Sequence, residues 1–387
     1  MSKGAAYLSW EGGACVKEAK KTWLGLFFLV VLLYNAGSAW ADQAESTARA
    51  AYVMDMKTSR VLFAYNEQES LPMASTTKVM TALLALEKGN LDDRVVTGRA
   101  AYGVPGTSIY LDFGESLTLE EMLYGLMLAS GNDAAVAIAE HIGGSVEGFC
   151  QMMNERAVEL GATGTYFANP NGLPAKGHVT TARDLSIIAA KAMESPVFRE
   201  IVSTERASIP WEGREYMRVL KNKNQLLGDY EGATGIKTGF TKAAGRCLVF
   251  GSSRGDMEII GVVLNCGDWF AEAARLMDLC YGRYEWIEML PDGELVGYVT
   301  VEGGEGESAM VVMRGALAAP VAKMEMPLMT IEMVDSVIAP QPSGAQVGWA
   351  TMRVGEEILD RRPLVLADPV MQEPTALQRW IVCWPLL

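Results

Sequence analysis

A block of helical segments between residues 75 and 193 constrains the fold most strongly, because strand-like runs lie on both sides of it. In each segment apolar residues recur at helical intervals, and Thr118 with Glu121 has the spacing of a capping box. The segments cover residues 75–87, 118–129, 133–144, 145–161 and 181–193. We therefore predict a succession of helices in the middle of the chain.

Strand-like runs precede and follow the helical segments and indicate which parts of the chain form a sheet. Residues 50–66 are typical of two strands around a turn at Lys57–Arg60. After the block, β-like runs at 233–240, 246–253 and 257–267 precede an amphipathic helix at 269–282. We expect the late strands to pair with the early hairpin. The predicted fold class is an α/β sandwich, an antiparallel sheet flanked by helices, followed by a small all-β domain.

The division into domains follows from a change of character near residue 288. From there to residue 368 apolar residues alternate between Gly/Pro-rich turns, which predicts the all-β domain and leaves 42–287 as the α/β domain. The tail, 369–387, carries Trp380 and Trp384 among aliphatic residues. It is either a membrane-interface anchor or a last element packed on the β domain.

The N-terminus has the order of a secretory signal peptide. Lys17, Lys20 and Lys21 precede an apolar run at 22–34, and small residues follow up to Ala41. The alternative is an uncleaved membrane anchor, but the run is shorter than the roughly 20 residues that a spanning helix needs. We predict a signal peptide at 1–41 and an exported mature protein.

Composition excludes several classes of function. The formal net charge is −14, and no basic run occurs after residue 42, so we expect no nucleic acid partner. The cysteines are far apart and form no CxxC, and the chain has only 2 histidines. This pattern predicts neither a disulfide framework nor a metal site, and no cofactor is expected.

Three short motifs carry the candidate chemistry. Ser75 and Lys78 are three residues apart at a helix start, where a buried lysine can lose its proton and then accept that of the serine. Ser130, Gly131 and Asn132 follow one predicted helix and precede the next. The sequence Lys237–Thr238–Gly239 lies in a strand, where a cation and a hydroxyl can hold a carboxylate beside a glycine. Each motif alone is weak, but their order matches the S-x-x-K, S-x-N and K-T-G signature of penicillin-interacting serine enzymes.

Beyond these motifs, the chain resembles the D-alanyl-D-alanine carboxypeptidases among the low-molecular-mass penicillin-binding proteins. The resemblance runs from about residue 48 to 285 and is carried by LPMASTTKVMTALLALE, GTSIYLDFGESLTLEEMLYGLMLASGNDAAVAIAEHIGG, FANPNGL, HVTTARDL and TGIKTGFTKAAGRCL. It implies the family's fold, including a β-rich second domain. It also implies the D-Ala-D-Ala end of a peptidoglycan stem peptide as substrate and β-lactams as covalent inhibitors. The implied location is the periplasm or the outer face of the cytoplasmic membrane.

The resemblance also implies a role for each site residue. Ser75 resembles the acylated nucleophile, Lys78 its general base and Ser130 the group that protonates the leaving nitrogen. The residues implied to bind substrate are Asn132, Lys237, Thr238, Gly239 and Phe240, the last through its backbone N–H in an oxyanion hole shared with Ser75. Phe240 stands where many relatives have histidine. His178 lies either near the rim of the site or in a structural position.

Alternatives from other classes stay open at this point. A D,D-endopeptidase acting on cross-linked peptidoglycan shares all three motifs, and so does a non-catalytic cell-wall binding protein on the same fold. A class A β-lactamase would need a further glutamate for deacylation. NPNGLPAKGHVTT stands at the corresponding place, without the E-x-E-L-N pattern. A cross-linking transpeptidase usually has large additional modules.

Overall fold

The computed structural model describes residues 45–373. The predicted signal peptide and residues 374–387 of the predicted tail lie outside this range. Within it the α-helices are α1 (Lys78–Lys88), α2 (Leu119–Met127), α3 (Asn132–Gly143), α4 (Val146–Glu159), α5 (Ala182–Met193), α6 (Pro196–Ser203), α7 (Leu226–Asp229) and α8 (Trp269–Arg283). The strands in the first part of the chain are β1 (Ala48–Asp55), β2 (Val61–Tyr65), β3 (Arg94–Val96), β4 (Ser116–Thr118), β5 (Arg206–Ile209), β6 (Arg218–Lys221), β7 (Ala233–Thr241), β8 (Gly245–Arg254) and β9 (Met257–Cys266).

An antiparallel five-stranded sheet joins the two ends of the first part of the chain. Its strand order is β2-β1-β9-β8-β7, so the early hairpin pairs with the last strand of the late group, as predicted. Val53 lies opposite Gly261 in the β1–β9 pair, and Leu248 lies opposite Val263 in the β8–β9 pair. Strand β7 forms an edge of this sheet and therefore leaves one side of its backbone open to a substrate.

Helices pack on the sheet and on α1. Helix α5 contacts β9 and β1, α6 contacts β7, and α8 contacts β9 and β8. Helix α1 is buried through most of its length, with side chains such as Met80 and Leu84 in the core that it shares with α2 to α6. The predicted α/β sandwich is confirmed. Lys78 and Thr81 are buried polar side chains in the otherwise apolar first part of α1.

Local signals in the sequence place several helix ends. The Thr118 side chain accepts from the Glu121 N–H while the Glu121 carboxylate accepts from the Thr118 N–H, which is the predicted capping box. The Thr181 side chain caps α5 by accepting from the Asp184 N–H. Helix α3 ends at Gly143 and is capped by Gly144, which has φ +69°, a left-handed conformation that glycine adopts at little cost.

A second β region follows α8. Its strands are β10 (Tyr284–Leu290), β11 (Leu295–Glu302), β12 (Ser308–Met313), β13 (Leu317–Ala322), β14 (Leu328–Met333), β15 (Ser336–Ile338), β16 (Gln346–Val354) and β17 (Glu357–Leu366). Six of them form a sheet in the order β14-β16-β17-β12-β11-β15, while β10 pairs with β13. The core of this region is separate, built from residues such as Val311, Met352 and Leu364.

The described ends of the β region bear on two predictions. Strand β10 runs across residue 288, where the domain boundary was predicted, and the boundary stays a prediction. At the other end, Val370 bridges to Gln341 and Gln372 to Gly304, so the first residues of the predicted tail lie against the β region. No helix within residues 45–373 is long and apolar enough to cross a membrane. The four cysteines of that range are free and buried.

Candidate active site

The site begins where the chain enters α1. Residues Ala74–Thr77 form one 3-10 turn before the α-helix, so Ser75 and Lys78 lie three residues apart on the same side of a tight turn. Lys78 Nζ is 3.0 Å from Ser75 Oγ. Ala74 has φ +49°, a conformation that non-glycine residues adopt rarely and that often marks a functional site. The two side chains that the sequence paired are therefore in direct contact.

Lys78 is fully buried, with a relative exposure of 0%. Its ammonium donates to Asn132 Oδ1 at 2.7 Å and to the Asn171 carbonyl at 2.6 Å, besides Ser75 Oγ. Burial disfavours the charged form, and together with the nearby charges of Lys237 and Lys223 it holds the pKa of Lys78 well below its usual range. A lysine in this position can lose its proton and then accept one from Ser75.

The second motif lies between α2 and α3. Ser130 is 3% exposed and has φ +64°, and Asn132 opens α3 with its amide facing Lys78. The Asn132 side-chain N–H donates to the Pro105 carbonyl at 2.7 Å, and its backbone N–H to the Thr107 carbonyl at 2.7 Å. The predicted position between two helices is confirmed, and residues 105–107 form a further wall of the site.

The third motif lies on edge strand β7. Lys237 is 1% exposed, and its ammonium donates to the Thr238 carbonyl at 2.9 Å. Burial, reinforced by the charge of Lys223, lowers the pKa of Lys237 to about 7. Lys237 is therefore not a solvent-facing strand lysine, and a carboxylate entering the site would favour its charged form.

Gly239 lets β7 approach the Ser75 turn closely. A Cβ at this position would be 2.9 Å from the backbone nitrogens of both Ser75 and Thr76, a distance that real Cβ atoms do not reach. The N–H of Ser75 thus lies beside β7, next to Phe240. The Phe240 side chain is 62% exposed at this edge.

His178 lies beneath the turn rather than at its rim. It is 4% exposed; its Nδ1 accepts from the Ala168 N–H at 3.0 Å, so its Nε2 carries the proton and donates to Thr77 Oγ1 at 2.8 Å. Thr77 in turn donates to the Ala74 carbonyl at 2.8 Å. Burial, with the nearby Lys78 charge, lowers the pKa of His178 to about 4. Of the two positions predicted for His178, the structural one is therefore correct.

Sequence reasoning missed two groups that face the lysines. The Asn171 carbonyl accepts from Lys78. The next residue, Gly172, has φ +88°, and a Cβ there would overlap the Ala74 carbonyl. The signal was the Asn-Gly pair inside FANPNGL, which favours a tight turn. Lys223 contributes charge to both buried lysines and donates to Thr107 Oγ1 at 3.4 Å. It had no local signal, because its chain segment approaches the site only in the folded protein.

No cluster of three or more metal-ligating side chains occurs in the part of the chain that the structure describes. What the site offers is a serine beside a buried lysine with a low pKa, the backbone N–H of Ser75 close to strand β7, and two further lysines, Lys237 and Lys223. That combination can carry out acyl transfer through a covalent serine intermediate. Fold and site together define a serine–lysine acyl enzyme with a helix-flanked antiparallel sheet.

Comparison with known proteins identifies the family. The profile of the D-alanyl-D-alanine carboxypeptidase family matches residues 38–267, and the chain belongs to that family. The chain is 32% identical to the D-alanyl-D-alanine carboxypeptidase DacF of Bacillus subtilis, over 92% of this chain and 96% of that protein. It is 29% identical to the D-alanyl-D-alanine endopeptidase of Escherichia coli, over 66% of this chain and 81% of that one. Among solved structures, penicillin-binding protein 5 of Haemophilus influenzae matches with a TM-score of 0.71 and 26% identity, over 85% of this chain and 98% of that chain.

Proposed function

We propose that this chain removes the terminal D-alanine from peptidoglycan stem peptides through an acyl-enzyme on Ser75. Family membership makes it a serine-type D-Ala-D-Ala carboxypeptidase. The observation that carries the assignment to Ser75 is the 3.0 Å contact with Lys78 Nζ, inside a site that excludes water from the lysine.

In the acylation step, Lys78 in its neutral form takes the proton of Ser75 as Oγ attacks the carbonyl carbon of the penultimate D-alanine. The N–H groups of Ser75 and Phe240 stabilise the oxyanion. The C–N bond then breaks as Ser130 gives its proton to the nitrogen of the departing D-alanine and takes the former Ser75 proton from Lys78, which returns Lys78 to its neutral form. Water hydrolyses the ester in the second step, and the neutral lysine can accept its proton in the same way.

Substrate binding uses both sides of the cleft. Lys237 and Thr238 hold the terminal carboxylate, and Lys223 adds a second positive charge to this region of an otherwise acidic protein. Asn132 retains one amide hydrogen beyond the hydrogen bond to Pro105, which is available to the peptide chain of the substrate. Gly239 allows that chain to lie close to β7. β-Lactams acylate the same serine because their strained amide presents the same carbonyl.

The test is product analysis by mass spectrometry on a pentapeptide ending in D-Ala-D-Ala. Wild-type protein should release one D-alanine, whereas Ser75→Ala should release none while keeping the same thermal unfolding transition. Turnover by a folded Ser75→Ala variant at a rate near wild type would contradict the mechanism. Absence of turnover in folded wild-type protein would favour a non-catalytic cell-wall binding protein.

A D,D-endopeptidase is the second candidate, and similarity to the Escherichia coli enzyme of that name favours testing it. Supplying a cross-linked stem-peptide dimer in the same assay separates the two activities. Monomeric products from the dimer, at a rate comparable with D-alanine release from the pentapeptide, would assign endopeptidase activity. An intact dimer would leave the carboxypeptidase alone.

We further propose an exported protein with an α/β domain at 42–287 and a β domain at 288–368. The tail, 369–387, would contact the outer face of the cytoplasmic membrane through its tryptophans. Deleting residues 374–387 should move the protein from the membrane to the soluble fraction, with D-alanine release unchanged. An unchanged distribution would assign the tail to packing on the β domain.

A further inference from the structure

Three aromatic residues are linked to Arg218, directly or through one another, on the surface of the α/β domain. Tyr110 and Tyr216 are 73% and 60% exposed, and Trp211 is half-buried. The Trp211 and Tyr216 rings meet edge to face, with centroids 5.7 Å apart. The Arg218 guanidinium lies 4.7 Å from the Trp211 ring and donates to the Tyr110 carbonyl at 3.3 Å. We call Tyr110, Trp211 and Tyr216 the aromatic platform.

The frame beneath the platform is rigid. Arg218 forms a buried ion pair with Glu115, in which the two side chains are 4% and 1% exposed, at 2.9 Å. The Tyr110 N–H donates to Ser108 Oγ at 2.8 Å, and that hydroxyl donates to the Asp133 carboxylate at 2.5 Å. Tyr110 also has φ +61°, which a tyrosine rarely adopts. Polar contacts therefore hold the backbone of Tyr110, while its ring is exposed.

The platform is continuous with the proposed active site. Asp133, which anchors the Tyr110 loop, directly follows Asn132, the acceptor for Lys78. At the start of the same loop, the Thr107 carbonyl accepts from the Asn132 N–H, and its hydroxyl accepts from Lys223. Residues 107–110 thus connect a wall of the cleft to Tyr110, whose carbonyl accepts from Arg218.

We propose that the aromatic platform binds the amino sugar to which the stem peptide is attached. The inference rests on the proposed function, because that substrate is covalently tethered to a glycan. The four stem-peptide residues on the acyl side of the scissile bond span at most about 14 Å, so the first sugar stays near the rim of the cleft. Sugar rings present apolar C–H faces that pack on aromatic rings, and rigid aromatic side chains lose little entropy on binding.

The polar surroundings of the platform fit the same ligand. Glu212, Arg214 and Glu215 are exposed in the turn between Trp211 and Tyr216. Their side chains can exchange hydrogen bonds with hydroxyl and acetamido groups at the sugar edge. Glu212 accepts from the Ser116 N–H at 3.2 Å, and the Arg214 guanidinium lies 5.8 Å from the Trp211 ring, so charged groups stand directly beside the aromatic rings, as a ligand with both polar and apolar faces requires.

The test compares two substrates with the same scissile bond, a free pentapeptide and the disaccharide pentapeptide. In wild-type protein kcat/KM should be higher for the sugar-bearing substrate. In Trp211→Ala and in Tyr216→Ala this advantage should shrink by about 2- to 10-fold, with kcat/KM for the free pentapeptide unchanged. Trp211→Phe should retain most of the advantage, because it keeps a ring. Tyr298→Ala, at a comparably exposed tyrosine of β11, is the matched control and should change neither value.

Cleavage of the free pentapeptide tests folding and the proposed function. The ratio of kcat/KM between the two substrates tests whether the platform binds the sugar. If both substrates are cleaved with equal kcat/KM by wild-type protein, the platform does not bind the sugar. The same conclusion follows if the ratio is unaffected in both alanine variants. If neither substrate is cleaved, the proposed function fails and this inference fails with it.

Discussion

The contact between Gly239 and the Ser75 turn gives a sharp prediction for Gly239→Ala. The added Cβ would be 2.9 Å from two backbone nitrogens and 3.1 Å from the Met73 carbonyl, so the strand or the turn must move by about 0.5 Å to reach ordinary contact. Backbone atoms cannot rotate away as side chains do. Overpacking of this kind costs about 1–3 kcal/mol of unfolding free energy.

The substitution should slow catalysis as well, because the displaced N–H of Ser75 is half of the proposed oxyanion hole. A misplacement approaching 1 Å can cost about 100-fold, so we expect acylation by a fluorescent penicillin to slow by roughly 10- to 100-fold. The assay is the second-order rate constant of labelling, paired with urea unfolding. Gly297→Ala on β11, where the Cβ would make an ordinary 3.6 Å contact with Met333, is the control. Labelling of Gly239→Ala at the wild-type rate would refute the close approach.

Three further predictions concern titratable side chains. Burial depresses the pKa of His178 from about 6.5 to about 4, so the wild-type protein should lose roughly 3 kcal/mol of unfolding free energy as the pH falls through that window. His178→Gln should remove this loss. Urea unfolding at several pH values measures it. Glu115→Gln should cost about 3–5 kcal/mol in the same measurement, because it leaves the buried Arg218 without its anion. Lys223→Gln should move the rise of the acylation rate to higher pH, because it removes one of the two cations that lower the pKa of Lys78.

Each of these predictions has a matched variant elsewhere in the chain. His141→Gln changes the other, more exposed histidine and should leave the acid loss in place. Glu159→Gln removes an exposed partner of Arg156 and should cost at most about 1 kcal/mol. Lys221→Gln removes a positive charge from the last residue of β6, two residues before Lys223, and should leave the pH dependence of the acylation rate unchanged. If a variant and its control change the unfolding free energy, or the pH dependence of acylation, by the same amount, the interaction on which that prediction rests is contradicted.

Much of the fold was predictable because its signals are local. Caps at Thr118 and Thr181, the left-handed end of α3 at Gly144 and the helical spacing between them need only neighbouring residues. The contact of Ser75 with Lys78 was predictable for the same reason, since three residues of a helical turn fix it. Pairing of the early hairpin with the late strands followed from the strand-like runs that lie on both sides of the helical block.

Other parts of the site depend on contacts between distant segments, which spacing cannot reveal. Asn171 supplies a carbonyl to Lys78 from 93 residues away, and a backbone group has no sequence signature. In the sequence nothing distinguishes Lys223 from other charged residues, and only the fold brings its charge near Lys78 and Lys237. The hydroxyl of Thr77, unexplained in the sequence, belongs to the hydrogen bonds that His178 makes beneath the turn.

The central claim is that Ser75 is the nucleophile that forms the acyl-enzyme. Intact-protein mass spectrometry after exposure to benzylpenicillin, followed by peptide mapping, tests it most directly. The account predicts one added penicillin per chain, located on the peptide that contains Ser75, and no addition to folded Ser75→Ala. A penicillin adduct on another residue, or none on folded wild-type protein, would contradict it.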